Sequence, residues 1–292
     1  MLDVTPSSGA LVVEAPAKVN LTLRILGRRR GGFHDLESVV AAVSLTDRLT
    51  FRPADRLHVA CADPDVPVGD GNLVARAARA LAEATGATAG ADVELLKRIP
   101  VGRGLGGGSS DAAAALVGLN ALWDLGLSRQ ALVRLGADLG SDVPFFLGTP
   151  TAVLRGRGER LQPADTSPRW WLVLGWPDFG LATAEVYAAY DRLPAPAGHR
   201  PAATDVLAHL AGPAALAAPL LVNDLERAAW TVRCSIKGLR RVFAEAGAAA
   251  VGMTGSGSAC FALADTPNEA HRWARAAQAA KCQAVVVQFI GA

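Results

Sequence analysis

The 292-residue sequence is 51% apolar and 19% charged, with a formal net charge of +2 at neutral pH. That is apolar material enough for a sizeable core and, at about 100–200 residues per domain, for two domains; it lacks the basic stripe of a dedicated nucleic-acid binder. The four cysteines (Cys61, Cys234, Cys260, Cys282) form no C-x-x-C pair and the histidines no H-x-x-x-H spacing, which speaks against structural zinc and a disulfide framework and for a reducing compartment.

The N-terminus MLDVTPSSGALVVEAP has no basic region leading into an apolar one, so a cytoplasmic location is expected. Residues 17–26 alternate strictly, with Val19, Leu21, Leu23 and Ile25 on one side and Lys18, Asn20, Thr22 and Arg24 on the other. This predicts a half-buried strand that carries Lys18 and Asn20 side by side on its polar face. GRRRGGFHD reads as a turn with Arg28, Arg29 and Arg30 at a solvated tip, and LESVVAAVSL and RLTFR as two further strands. Helical spacing runs from Asn72 to Glu83 with Gly86 as its stop, and residues 91–99 form a strand ended by Pro100.

Five glycines then fall within residues 102–110, followed by an alanine run. The spacing predicts a helix over 111–122 with Ser109 or Ser110 as N-cap, and a second over 128–140 between Ser128 and Gly140. GSDVPFFLG is read as a short loop, and the Gly-, Arg- and Pro-rich stretch 156–168 as a boundary. Beyond it come a strand (RWWLVLGW), helical segments, MTGSGSACFALA, a helix over 267–280 and a last strand, AVVVQFI. Trp170, Trp171 and Trp176 read as core and strand-edge packing. The Ala/Leu-rich stretch 203–222 contains Asp205, His209 and two prolines, so it does not read as a membrane span. The order of elements is that of an α+β protein in two parts, residues 1–160 and 161–292.

Glycine carries an entropic penalty in folded segments, so a cluster of them needs a reason. The P-loop pattern fails, because no lysine follows these glycines. G-x-G-x-x-G matches at Gly102, Gly104 and Gly107, but the region that should hold a second parallel strand and its acidic residue is helical, which rejects a dinucleotide fold. What survives is general: bare backbone leading into a helix N-terminus, where free N–H groups and a positive dipole end receive an anion. Ser109 and Ser110 stand where a hydroxyl meets a phosphate oxygen or a magnesium ion, with Asp111 behind them. A glycine hinge before a well-capped helix is the alternative.

Three stretches in order, APAKVNLTL (15–23), PVGRGLGGGSSDAAAAL (100–116) and MTGSGSACFAL (253–263), resemble the three motifs of the GHMP kinases, and the resemblance covers essentially the whole chain. It implies a two-domain α+β fold, with a mixed sheet and helices in the N-terminal domain and a ferredoxin-like α/β sandwich in the C-terminal one. It also implies phosphoryl transfer from ATP, with Mg2+, to a small alcohol. GFH after the basic turn, NL at 72–73, GSDVPFF and NDLE are similar to the branch that phosphorylates the 2-hydroxyl of a cytidine-diphosphate-linked methylerythritol. By the same resemblance Lys18 and Asp142 are catalytic, and Asn20, Phe33, His34 and Tyr187 bind that substrate. Phe33 stands where the family more often has tyrosine, so a face for stacking is kept and a hydroxyl lost. The nucleotide falls on Asn72, Leu73 and Lys97, on the loop Pro100, Val101, Gly102, Arg103, Gly104, Leu105, Gly106, Gly107, Gly108, Ser109 and Ser110, and on Gly255, Ser256 and Gly257. Metal ligands stay open beyond a loop serine. No nucleic-acid or membrane partner is expected, and a monomer or weak homodimer is. A kinase for another small alcohol and an inactive nucleotide-binding homologue are the competing readings; the joint presence of Lys18 and Asp142 opposes the second.

Overall fold

The computed structural model describes residues 1–29, 31–196 and 200–291. Arg30, the third arginine of the basic run, lies outside the described residues. In chain order the N-terminal strands are β1 (Thr5–Ser7), β2 (Ala10–Asn20), β3 (Arg24–Arg28), β4 (His34–Ala54) and β5 (His58–Cys61). Next come α1 (Leu73–Thr85), β6 (Gly90–Leu96), α2 (Gly107–Leu122), α3 (Arg129–Leu139), the single turn α4 (Val143–Phe146), β7 (Thr151–Gly156) and β8 (Arg160–Pro163). The remainder is β9 (Trp171–Trp176), α5 (Thr183–Tyr190), α6 (Ala203–His209), α7 (Glu226–Val232), α8 (Ile236–Glu245), β10 (Ala250–Met253), β11 (Cys260–Ala264), α9 (Pro267–Ala279) and β12 (Gln283–Gln288). Among the described residues no helix is long and apolar enough to cross a membrane.

The chain forms two compact units that do not follow chain order. The first comprises Met1–Ala17, Leu45–Val101 and Gly106–Thr149; the second Lys18–Ser44, Gly102–Leu105 and Pro150–Ala292. In the first, residues 48–54 of β4 run antiparallel to β6, and β5 runs parallel to β6, so its sheet is mixed. Helix α1 buries Val74, Ala77, Ala78 and Leu81, one face at helical spacing. Asn72 caps it, its Oδ1 accepting from Val74 N at 2.8 Å, and Gly86 ends it in the left-handed region at φ 74°. Helix α2 packs on α1, α3 and α4, and Ala112 to Leu116 are all fully buried.

In the second unit, the first half of β4 pairs antiparallel with β3 and β7, and β7 with β8. A separate antiparallel sheet of order β10-β11-β9-β12 carries α5, α7, α8 and α9 on a core of Val173, Val186, Leu239, Phe243 and Trp273. Apolar side chains from β9 and β11 point into that core at every second position, which is the pattern of a sheet with one covered face.

Several expectations from sequence need correction. The strand read at 17–26 ends at Asn20 and resumes at Arg24, because Ser38 Oγ donates to Thr22 O and Thr22 Oγ1 accepts from Val39 N at 3.2 Å. Side chains bridge there, and the backbone of Leu23 turns to residues 222–224, its N donating to Val222 O at 2.7 Å. Its polar face is not solvated either: Lys18 and Asn20 are each only 5% exposed. The strands read separately at LESVVAAVSL and RLTFR are one strand, β4. Helix α2 starts four residues earlier than expected. Gly106, at φ 72°, turns the chain and its carbonyl accepts from Ser110 N at 2.9 Å, so Ser109 and Ser110 lie in the first turn and cap nothing. GSDVPFFLG holds the helical turn α4, and the stretch read as a boundary holds β7's end and β8. Trp171 and Trp176 lie on β9, an interior strand, and Trp170 is buried with its Nε1 donating to Gly212 O at 2.7 Å.

Candidate active site

In the second unit the three glycine-bearing or lysine-bearing stretches meet through backbone. Lys18 N donates to Leu105 O at 2.9 Å, and Ala259 N donates to Arg103 O at 3.2 Å. Thr254 Oγ1 donates to Gly104 O at 3.2 Å and also lies 3.3 Å from Asn20 Oδ1, while Asn20 N donates to Thr254 Oγ1 at 2.9 Å. The Lys18 ammonium donates to Asn20 Oδ1, and Asn20 Nδ2 to Ser38 Oγ at 2.8 Å. Each buried polar group here is thus held by another, which fixes the direction of the Lys18 side chain. Gly104 sits at φ 77°, and a methyl group there would stand 2.4 Å from Thr254 O. Only glycine admits so close an approach. Gly255 and Gly257 belong to the same junction, Gly257 N donating to Thr254 O at 3.0 Å, and Ser256 Oγ lies 2.9 Å from Thr183 Oγ1. Gly102 O accepts from Leu181 N at 3.2 Å. The Thr254 stretch therefore acts through a hydroxyl as well as through bare backbone.

In the first unit, Pro100 and Val101 lead out of β6, and α2 begins at Gly107 with Gly106 before it. The N–H groups of Gly107, Gly108 and Ser109 have no acceptor within the helix and define its positive end. Behind them lies a buried charge cluster. The Lys97 ammonium donates to Asp47 Oδ2 and, at 2.7 Å, to Asp111 Oδ2, while Asp47 Oδ1 accepts from Arg98 N at 2.6 Å and Ile99 N at 2.8 Å. Burial foremost, with the Asp47 charge adding and Lys97 opposing, pushes Asp111 up to about 7. Lys97 is raised: burial alone would lower it, but the two carboxylates outweigh that. Ser110 Oγ and Asp111 Oδ1 are buried with no hydrogen-bond partner among the described residues. Both are hard oxygen donors, of the kind that magnesium takes one or two of before completing its shell with water and phosphate.

Asn72 spends its side chain on capping α1, and Leu73 follows it within contact of Gly108. A cleft of about 830 Å³ opens beside them, lined by Val59, Cys61, Val66, Val68, Asn72 and Leu96 among others. Asp142 is half-buried at the residue before α4, and its carboxylate makes no capping bond to that turn. Pro144 at the second helical position fixes the local backbone.

His34 opens β4 with its side chain buried. Its ring faces Tyr187 at 5.0 Å between centroids and 32° tilt, and Tyr190 edge-on at 5.9 Å; its Nε2 lies 2.7 Å from Asp191 Oδ1. Phe33 is 56% exposed, with the Arg157 guanidinium 4.9 Å from its ring centroid. The described arginines of the basic run are paired, Arg28 with Asp191 and Arg29 with Asp35 and Glu159. Sequence reading brought Lys18 to Asn20 and named His34 with Tyr187, both of which the structure places together. It missed Asp47, Asp191 and Tyr190, which have no signal in their own neighbourhood, and it quoted NDLE without foreseeing the bond from Asn223 Nδ2 to Met253 O at 2.8 Å.

Residues 72–149 match the family described as GHMP kinases N terminal domain, and residues 215–283 that described as GHMP kinases C terminal. Both parts of the GHMP kinase fold are therefore present. A 4-diphosphocytidyl-2-C-methyl-D-erythritol kinase from Rhodococcus jostii is 42% identical, covering 98% of this chain and 94% of its own length. One from Pelotomaculum thermopropionicum is 45% identical, covering 85% of this chain and 87% of its own. A crystal structure of 4-(cytidine 5'-diphospho)-2C-methyl-D-erythritol kinase superposes with a TM-score of 0.83 at 39% identity, over 96% of this chain and 100% of that one. Homoserine kinase from Cytophaga hutchinsonii shares the fold, with a TM-score of 0.71 at 19% identity over 97% of this chain and 96% of that one. The chain belongs to the 4-diphosphocytidyl-2-C-methyl-D-erythritol kinase family.

Proposed function

We propose that this chain transfers the terminal phosphoryl group of ATP to the 2-hydroxyl of 4-diphosphocytidyl-2-C-methyl-D-erythritol, in the methylerythritol phosphate route to isoprenoid precursors. The observation that carries this reading is the junction at Gly104, where the strand bearing Lys18 and Asn20, the glycine loop and the Thr254 hairpin bond to one another. Phosphoryl transfer asks a protein chiefly for positioning and for stabilisation of developing charge. The free N–H groups of Gly107, Gly108 and Ser109 receive the phosphates, and the cleft beside Asn72 takes the adenine. Asp142 accepts the proton of the attacking hydroxyl. Lys18, fixed by Asn20, offers its ammonium to the charge that gathers on the transferring group. His34, with Tyr187, takes the cytosine ring. Ser110 Oγ and Asp111 Oδ1 would hold the Mg2+ that neutralises the triphosphate. Residues 1–160 and 161–292 are the two functional domains in this reading. The chain acts in the cytoplasm as a monomer or weak homodimer.

The test is to supply purified protein with ATP, Mg2+ and the cytidine-linked alcohol, following ADP by a coupled assay and the new phosphomonoester by phosphorus NMR. One ADP should appear for each phosphomonoester formed. Faster turnover of homoserine, mevalonate or a sugar would move the assignment to another small-alcohol kinase. ATP binding without turnover of any alcohol would leave an inactive homologue.

A further inference from the structure

The partner of His34 fixes more than its position. The Asp191 carboxylate only accepts hydrogen bonds, so the Nε2 lying 2.7 Å from its Oδ1 must carry the hydrogen. A neutral imidazole has one N–H, and Nδ1 is then left as a bare lone pair. No residue among those described hydrogen-bonds to Nδ1. The ring has little freedom to turn over. Its side chain is 6% exposed, and Tyr187 and Tyr190 wall it on a face and an edge. Asp191 is itself anchored at the end of α5, where its N donates to Tyr187 O at 3.0 Å and its second oxygen faces Arg28 at 3.6 Å.

We propose that Asp191 is a positioning residue that sets pyrimidine specificity through His34. By holding the hydrogen on Nε2 it leaves Nδ1 as an acceptor, which pairs with a ring bearing an exocyclic amino group and opposes one bearing a carbonyl there. The inference rests on the reading above, in which His34 faces the base of the substrate. A cytosine offers its 4-amino group to that lone pair. A uracil sets a carbonyl oxygen against it and leaves two acceptors unpaired, which is worth about 10- to 100-fold in selection.

The test has two independent readouts. Nitrogen-15 NMR of the histidine rings in the free protein should show His34 protonated at Nε2 alone. Specificity constants should favour the cytidine-linked alcohol over its uridine analogue by at least about 10-fold. In Asp191→Asn the amide can present its NH2 to Nε2, so the ring hydrogen should move to Nδ1 and the preference should collapse toward unity. The KM for ATP should stay unchanged, and Asp191→Glu should restore the preference. A wild-type ring protonated at Nδ1, or at both nitrogens, overturns the proposal. So does an Asp191→Asn protein whose ring hydrogen has moved while its preference has not. If the wild type turns over neither alcohol, the substrate reading fails by itself, and calorimetric affinities for CDP and UDP decide the proposal: a preference for CDP supports it and equal affinity overturns it.

Discussion

Replacing Gly104 by alanine probes the junction on which the functional reading rests. Two penalties can be separated. The left-handed backbone at φ 77° is strained for any residue with a Cβ, by about 1–2 kcal/mol. The new methyl group would also stand 2.4 Å from Thr254 O and 3.2 Å from Gly257 N and O, whereas ordinary contact begins at 3.4 Å. The Thr254 stretch must therefore retreat by about 1 Å, and overpacking of that kind costs about 1–3 kcal/mol more. Gly86 supplies the control, since it has nearly the same backbone, at φ 74°, with nothing within 4 Å of the added methyl group. Gly86→Ala should lower stability by about 1–2 kcal/mol and leave turnover unchanged. Gly104→Ala should lower stability by about 2–5 kcal/mol and turnover by roughly 10²-fold, because a shift near 1 Å at the reacting groups is worth about that much. Urea midpoints and the coupled ADP assay measure both. Equal losses of stability in the two variants, with turnover intact in both, would refute the close approach and the junction built on it.

Asp142→Asn should fold and bind ATP normally while turnover falls roughly 10²–10⁴-fold, read by ATP titration beside steady-state kinetics; near-normal turnover would remove Asp142 from the mechanism. Asp47→Ala orphans two backbone N–H groups and strips Lys97 of one carboxylate, so it should destabilise the chain by about 3–5 kcal/mol in urea unfolding and raise the KM for ATP. An unchanged midpoint would argue that the cluster is solvated. Glu226 is held above the ordinary glutamate range by burial, against the opposing pull of Arg240. The folded chain thus keeps a proton that the unfolded chain has released, and the stability from this group is present on the acid side and lost as pH rises through the folded value. Glu226→Gln should flatten that fall, checked by urea midpoints from pH 4 upward.

What the sequence made legible was local. Lys18 and Asn20 share a face because strand alternation puts residues two apart together, and the structure joins them. The stop of α1 and the start of α3 were readable because Gly86 and Ser128 act within four residues of themselves. Local rules misled where a distant group supplied the bond. The break after Asn20 depends on Ser38, which no pattern near residue 20 reveals. β4 looked like two strands because Ser44, Thr46 and Asp47 interrupt its apolar run. Yet Asp47 is fully buried there, made tolerable by a lysine fifty positions on. Asp191 was invisible for the same reason, since its partner lies 157 residues away.

The alanine run of α2 has a thermodynamic consequence for ligand binding. Ala112 to Ala115 are fully buried, and Gly118 lies so close to the Phe51 ring that a methyl group would stand 2.4 Å from its Cε2. Alanine and glycine have no rotamers to lose, so packing the Ala112–Ala115 run freezes no side-chain freedom. Nor do they leave slack, since nothing along the rod can swing aside to let it slide. The N–H groups of Gly107, Gly108 and Ser109 are therefore held in place before any anion arrives. In the proposed reading, a triphosphate meeting that end of the helix would have little ordering left to do there.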